Sequence, residues 1–259
     1  MNSWKKIFKY ELMSVTRNRW IPIHALLLAG IAETFLRVGG DFSKALVTLS
    51  SVTVVLVPLI ALLFSSLYWY YSDRFTQLLL TLPMSRSTLY FARALALSGS
   101  LAASFSIGTA LPFLARGHLS WGLLLLTLTG LFLTTVFVLV GSLIAIFISD
   151  RMKGLGAALG TWFYFIVIHD SVILFALLLM SDYPMDVPAG LLGVLNPIGL
   201  SRIALLLAHD ASMLLGHTGA LVRNLVASGS GILIALFMVA AWLTIPALTG
   251  YSKFMKRDF

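Results

Sequence analysis

The chain has 259 residues, of which 59% are apolar and only 11% charged, with a mean hydropathy of +0.96. A soluble domain needs about one-quarter charged residues to wet its surface, so soluble folds are excluded. The net charge of +8, which in a soluble protein would suggest nucleic acid, reads here as an excess of cations in membrane-flanking loops.

Residues 2–17 come first. They place Trp4, Ile7, Phe8, Leu12 and Val15 on one helical face and Lys5, Lys6 and Lys9 on the other. This predicts an amphipathic helix lying in the membrane interface, with Glu11 intruding near its apolar face. The segment is too long for the basic start of a signal peptide, and the apolar run after it too long for a signal core. An uncleaved first span is expected.

Six spans are predicted: Trp20 to Val38, Leu46 to Tyr71, Leu89 to Leu114, Trp121 to Ile148, Gly154 to Met180 and Ile232 to Thr249. At about 1.5 Å per residue, each reaches most or all of the way across a hydrocarbon core of about 30 Å. Trp20, Trp69, Tyr70, Tyr71 and Trp121 lie near span ends, as interfacial aromatics do, whereas Trp162 and Trp242 lie deeper. The chain is therefore read as all-α and polytopic, a single transmembrane domain over 1–259.

Two connections carry structure of their own. The loop 72–88 opens with Ser72, Asp73 and Arg74, continues through Phe75 to Leu82 as a short apolar helix, and stops at Pro83. Such a helix, parallel to the membrane, can be offered to a partner's groove. Residues 181–231 contain the apolar stretch Leu191 to Ala208, interrupted by Asn196, Pro197 and Arg202. They are read as a loop with one or two re-entrant or interface-lying helices, Asn196-Pro197 marking a turn or helix start.

Orientation follows from the cations. Lys5, Lys6, Lys9, Arg17, Arg19, Arg74, Arg86, Arg93, Arg151, Lys153, Lys253, Lys256 and Arg257, which are 13 of the 18, fall on one side. That side is expected to be cytoplasmic, with both termini inside. A seventh span would send Lys253, Lys256 and Arg257 outside.

Motifs for phosphate-loop, zinc-protease, serine-hydrolase and dinucleotide chemistry are missing, so no catalytic residue is assigned and no enzymatic activity is expected. Energy for uphill transport must come from another chain or from an ion gradient. Glu33 and the pair His169-Asp170 are the main ionisable intruders in the spans, either polar clasps between helices or groups that gate or line a pathway. Asp170 has His169, Arg116 and Arg202 as candidate partners. His118, His169, His209 and His217, with Met180, Met185 and Met213, gather toward the outer side. Their ligand types suit copper or zinc, but without tight spacing no metal site is assigned. Cysteine is absent, so disulfides and thiolate sites are excluded. Gly156-x-x-x-Gly160 permits close helix approach and marks a candidate homodimer face. Two rival functions remain: an ion-coupled secondary transporter using Glu33 and Asp170, which should show inverted repeats, and an intramembrane enzyme, for which His169-Asp170 has no nucleophile at helical spacing.

The order of these elements resembles the permease subunit of the second-type ABC exporters. Lys9-Tyr10-Glu11-Leu12 followed by Arg17-Asn18-Arg19-Trp20 resembles that family's elbow helix, and Gln77 to Arg86 its coupling helix. More narrowly, Pro58 to Leu63, the Leu-Thr-Leu-Pro loop, His169-Asp170, and Leu195 to Ile203 are similar to the membrane subunits of nitrous oxide reductase maturation transporters. Many members carry an acidic, glycine-containing segment before the coupling helix, where this chain has Trp69 to Thr76 with one acid and no glycine.

The resemblance implies a homodimer in the bacterial inner membrane, each subunit docked on a separate cytoplasmic ATPase that binds ATP and Mg, with no cofactor in this chain. Leu78, Leu79, Leu80 and Leu82 would fill the ATPase groove, with Phe75 and Pro83 in the same segment and Arg74 and Arg86 orienting it. Closure of the ATPase pair would tilt spans one, two and five and move the outer hairpin. The partner outside would be a periplasmic right-handed β-helix protein, and the output assembly of a copper–sulfur centre in nitrous oxide reductase.

Overall fold

A computed structural model describes residues 3–81, 85–179, 186–208 and 230–257. All regular structure among them is helical: α1 (Ser3–Thr16), α2 (Trp20–Val38), α3 (Phe42–Tyr71), α4 (Asp73–Leu80), α5 (Arg86–Leu114), α6 (Trp121–Phe147), α7 (Arg151–Phe163), a π-helical turn (Tyr164–Ile168), α8 (His169–Leu179), α9 (Asp186–Leu195), α10 (Pro197–Ala208) and α11 (Ser230–Met255). Among the described residues, six helical stretches are long and apolar enough to cross a bilayer: α2, α3, α5, α6, the run from α7 through α8, and α11. The chain is a multi-pass membrane protein.

Short polar residues set where the spans begin. The Asp41 carboxylate accepts from the Ser43 amide, Ser85 from Thr88, Ser120 from Leu123 and Asp150 from Lys153. Each satisfies a backbone donor that the first helical turn leaves unpaired. These caps start α3 at Phe42 rather than Leu46 and α5 at Arg86 rather than Leu89. At the other end of the chain, α11 runs past the expected Thr249 to Met255, and in its last turn Lys253 lays its ammonium over the Phe147 ring, 5.4 Å from the centroid.

The interior is built from α3, α5 and α6. Helices in lipid gain little from hydrophobic burial against each other, so close approach and interhelical hydrogen bonds hold them. Gly141 of α6 lies against the backbone of Leu62, where a Cβ would sit 2.7 Å from the carbonyl oxygen. Beside it, Ser65 donates to the Val138 carbonyl (2.8 Å), Ser66 to that of Gly141 (3.0 Å), and the Trp69 indole to Ser142 (2.8 Å). The fifth and sixth spans, by contrast, contribute few fully buried residues.

Deep tryptophans serve the same bonding logic. The Trp162 indole donates to the Val55 carbonyl (3.0 Å), in the helical turn that Pro58 interrupts, and the Trp242 indole to the Leu195 carbonyl at the end of α9 (2.9 Å). This is why neither belongs to the interfacial belt. Arg93 also departs from expectation: counted among the cations of the basic side, it is fully buried within α5.

Candidate coupling site

At the end of the bundle that carries both described chain ends, α4 follows α3 after a single residue, Ser72. Ser72 makes that turn by donating its hydroxyl to the Tyr68 carbonyl (2.7 Å) while its own carbonyl receives the Thr76 amide (2.8 Å). An eight-residue helix offers three sides, and each is engaged differently. Arg74, Gln77 and Leu78 face outward, Leu78 being 60% exposed. Phe75 stacks on Tyr10 of α1 at 5.5 Å between centroids, and Leu79 packs against the core. Thr76 is buried and points inward.

Under Thr76 lies a buried polar cluster. Arg93 donates to the Thr76 hydroxyl (2.8 Å) and, through Nη2 and Nε, to one carboxylate oxygen of Glu11 (3.0 and 3.3 Å). The Tyr68 hydroxyl donates to the other oxygen (3.0 Å), and the guanidinium lies over the Trp69 ring, 4.8 Å from its centroid. Both charges are almost wholly shielded, so the pair stands only because each is compensated by the other and by further hydrogen bonds. Four helices thus meet at one guanidinium: α1, α3, α4 and α5.

The remaining expected coupling residues are distributed around it. Arg86 donates to the carbonyls of Met255 (3.0 Å) and Arg257 (2.9 Å), joining the start of α5 to the end of α11. Arg257 in turn pairs with Asp73 at the start of α4 (3.4 Å). Leu80 closes the helix, while Leu82 and Pro83 lie outside the described residues.

Glu33, His169 and Asp170 occupy the other end. Glu33 is held by Arg37 one turn on and by Arg116 beyond α5, each at 2.7 Å. Asp170 takes Arg202 of α10 as its partner (2.5 Å), with His169 Nδ1 at 3.7 Å. The two carboxylates therefore have separate arginines. Close to Asp170, the π-helical turn shifts the backbone pairing, and Asn196 donates its amide to the Phe165 carbonyl (2.7 Å) at the midpoint of the fifth span. Asn196 also caps α10 by accepting from the Ile198 amide (2.9 Å). Of the histidines expected toward the outer side, His118 lies tilted against the Phe42 ring, 4.4 Å between centroids, and His209, His217, Met180, Met185 and Met213 lie outside the described residues.

Reading the sequence missed the Arg93 cluster. Glu11 looked like a flaw in an amphipathic face and Arg93 like one loop cation among many. Their signal was joint: two opposite charges, each misplaced on an apolar face, 82 positions apart.

No protein-family model matches the chain. Among characterised sequences it is 29% identical over 272 residues to the probable ABC transporter permease protein NosY of Stutzerimonas stutzeri, covering 95% of this chain and 90% of that one. It is 30% identical over 273 residues to the probable ABC transporter permease protein NosY of Pseudomonas aeruginosa, covering 97% of each. Similarity that runs nearly end to end leaves no room for a different core, and the six spans with a short helix after the second agree with it. The chain belongs to the NosY family of ABC transporter permeases, the non-catalytic membrane subunits that work with a separate ATPase chain.

Proposed function

We propose that α4 is the coupling helix, gripped from the cytoplasm by the ATPase and linked through Arg93 to the elbow helix α1 and to α5. One observation carries this: the same short helix presents Leu78 outward and bonds Thr76 inward to a buried Arg93–Glu11 pair. A push on the outer face is then received by α5 and α1 together, since their charges cannot separate cheaply. Arg74 and Leu78 form the grip, Phe75 and Leu79 keep α4 against the bundle rather than filling the ATPase groove, and Leu80, Leu82 and Pro83 complete the docking segment. Asp73 and Arg86 bring the end of α11 into the same unit.

In this reading the basic end is cytoplasmic and α9–α10 form a re-entrant hairpin on the periplasmic side. Asn196 at the hairpin's tip meets mid-span Phe165, and Asp170 meets Arg202 nearer the outer face, which supports that placement. Closing of the ATPase pair moves α3 and the fifth span together through the Trp162–Val55 bond, and the π-helical turn passes the motion to the hairpin. A second copy joins along Gly156 and Gly160, beside which the subunit leaves open space. The output is export or a mechanical signal to a periplasmic β-helix protein, in maturation of the copper–sulfur centre of nitrous oxide reductase. That last step rests on kinship with NosY. Glu33 and Asp170 are assigned as pathway or gating groups in this ATP-driven cycle, and the ion-coupled alternative gives way to the family's use of an ATPase.

Co-purification tests the grip. Leu78→Asp should abolish recovery of the ATPase with the permease, whereas Thr76→Val should keep it bound but uncouple ATP hydrolysis from maturation output. An alanine scan of 75–86 that leaves ATPase recovery unchanged would defeat the assignment.

A further inference from the structure

We propose that a polar pocket beside the start of α4 receives an acidic side chain of the ATPase, an Asp or Glu held chiefly by Arg151. The pocket, about 190 Å³, lies where the ends of α3 and α6 meet the first residues of α4 and α7. Arg257, two residues past the end of α11, lines it as well. The proposal rests on α4 facing the ATPase, because Asp73 belongs both to the pocket wall and to the first turn of α4.

Arg151 is exposed yet held in place. Its guanidinium lies over the Tyr71 ring, 4.4 Å from the centroid, and its Nη2 donates to the Tyr71 hydroxyl (2.6 Å). It forms no salt bridge among the described residues. A guanidinium stacked on a ring keeps its in-plane donors open, and a carboxylate matches that fork with two parallel hydrogen bonds. The Tyr71 hydroxyl, having accepted from Arg151, still has its own proton to donate, and Ser149 brings a second hydroxyl to the wall.

Charge decides what enters. Arg257 pairs with Asp73 across the pocket at 3.4 Å, so two guanidinium groups there share one carboxylate. A second carboxylate brings them to balance. The exposed sequence neighbours Arg74, Lys153 and Lys256 add positive charge, against one exposed acid among the described neighbours, Asp150, which caps α7. A lipid phosphate fits worse, because the apolar wall is Trp69 and Ala145, both buried in the bundle, and leaves no slot for an acyl chain. A second copy of this chain would set the same cations against each other across a two-fold axis. One acid seated here touches the root of the second span, the start of the fifth and the end of α11. Motion of the ATPase then reaches the fifth span directly, alongside the push of α4 on α1 and α5.

Two measurements on the permease–ATPase complex test this. Arg151→Glu should weaken ATPase binding by about tenfold at low salt, and by less as salt rises, with the thermal midpoint of the permease unchanged. Arg151→Lys puts a primary amine in the pocket, which a carbodiimide should couple to one Asp or Glu of the ATPase, identified by peptide mass spectrometry. Exchanging that acid for Arg should restore the affinity lost in Arg151→Glu. Coupling only to carboxylates of the permease overturns the proposal, as does loss of bound anionic lipid from Arg151→Glu at unchanged ATPase affinity. Leu78→Asp separates this contact from the reading it rests on. If Leu78→Asp releases the ATPase and Arg151→Glu does not, the acidic contact alone is wrong. The reverse pattern keeps the contact and removes α4 as the grip, and full binding by both variants overturns the two together.

Discussion

Arg93 is the side chain whose loss should cost most. Removing one partner of a buried ion pair strands the other charge, at about 3–5 kcal/mol. Arg93→Met leaves Glu11 with only the Tyr68 hydroxyl, so we expect a large fall in the thermal midpoint of the detergent-solubilised permease. Glu11→Leu combined with Arg93→Met should restore most of it, because both charges leave together and Thr76 keeps its bond to the Ser72 carbonyl (2.8 Å). The double variant should nonetheless fail to couple ATP hydrolysis to output, since α4 no longer grips α5. If it couples normally, the pair is structural and the transmission runs elsewhere. None of this was legible residue by residue. Composition locates charges along the chain, but only the fold decides that Glu11 and Arg93 meet across three helices.

Among the elements, the spans and the α9–α10 pair were legible, and their bonding was not. Apolar runs long enough to cross a bilayer announce themselves, and Asn196-Pro197 announces a break. The π-helical turn has no such mark, because it is a shift in backbone pairing within an unbroken apolar run. Its consequence is testable. Asn196→Leu removes the donor to the Phe165 carbonyl and the cap of α10 at a site 1% exposed, a cost of about 1–3 kcal/mol. Hydrogen exchange in α9 and α10 should speed by about thirtyfold for a loss near 2 kcal/mol, with α3 and α6 unchanged. Asp170→Asn should do much less, because the Asp170–Arg202 pair is over one-third exposed on each side and contributes about 0–1 kcal/mol. Faster exchange in Asp170→Asn than in Asn196→Leu would make the ion pair the true clasp. Normal maturation output from Asp170→Asn would remove its gating role.

For the whole molecule, two arrangements follow from surfaces the subunit leaves open. The absence of cysteine makes single replacements clean reporters of orientation. Leu119→Cys and Met152→Cys sit at opposite ends and at positions 79% and 77% exposed. A thiol reagent that cannot cross membranes should label the first in intact cells and the second only after lysis; the reverse result would place α4 outside, beyond reach of any ATPase. Dimerisation is the second arrangement. The α7–α8 span contributes few fully buried residues to the subunit, Gly154 and Ala158 among them, and a Cβ built at Gly156 or Gly160 meets nothing within 4 Å. The first carbon of a larger side chain there meets nothing within the described subunit, so such a side chain acts chiefly on what lies opposite. In a close small-residue contact, Gly156→Leu and Gly160→Leu together force the helices apart and forfeit the packing that replaces hydrophobic burial in lipid. The permease should then run as a monomer in native mass spectrometry, with its thermal midpoint nearly unchanged and ATPase still bound to each chain. If the double variant remains dimeric, this glycine face looks onto lipid and the two copies meet along another span.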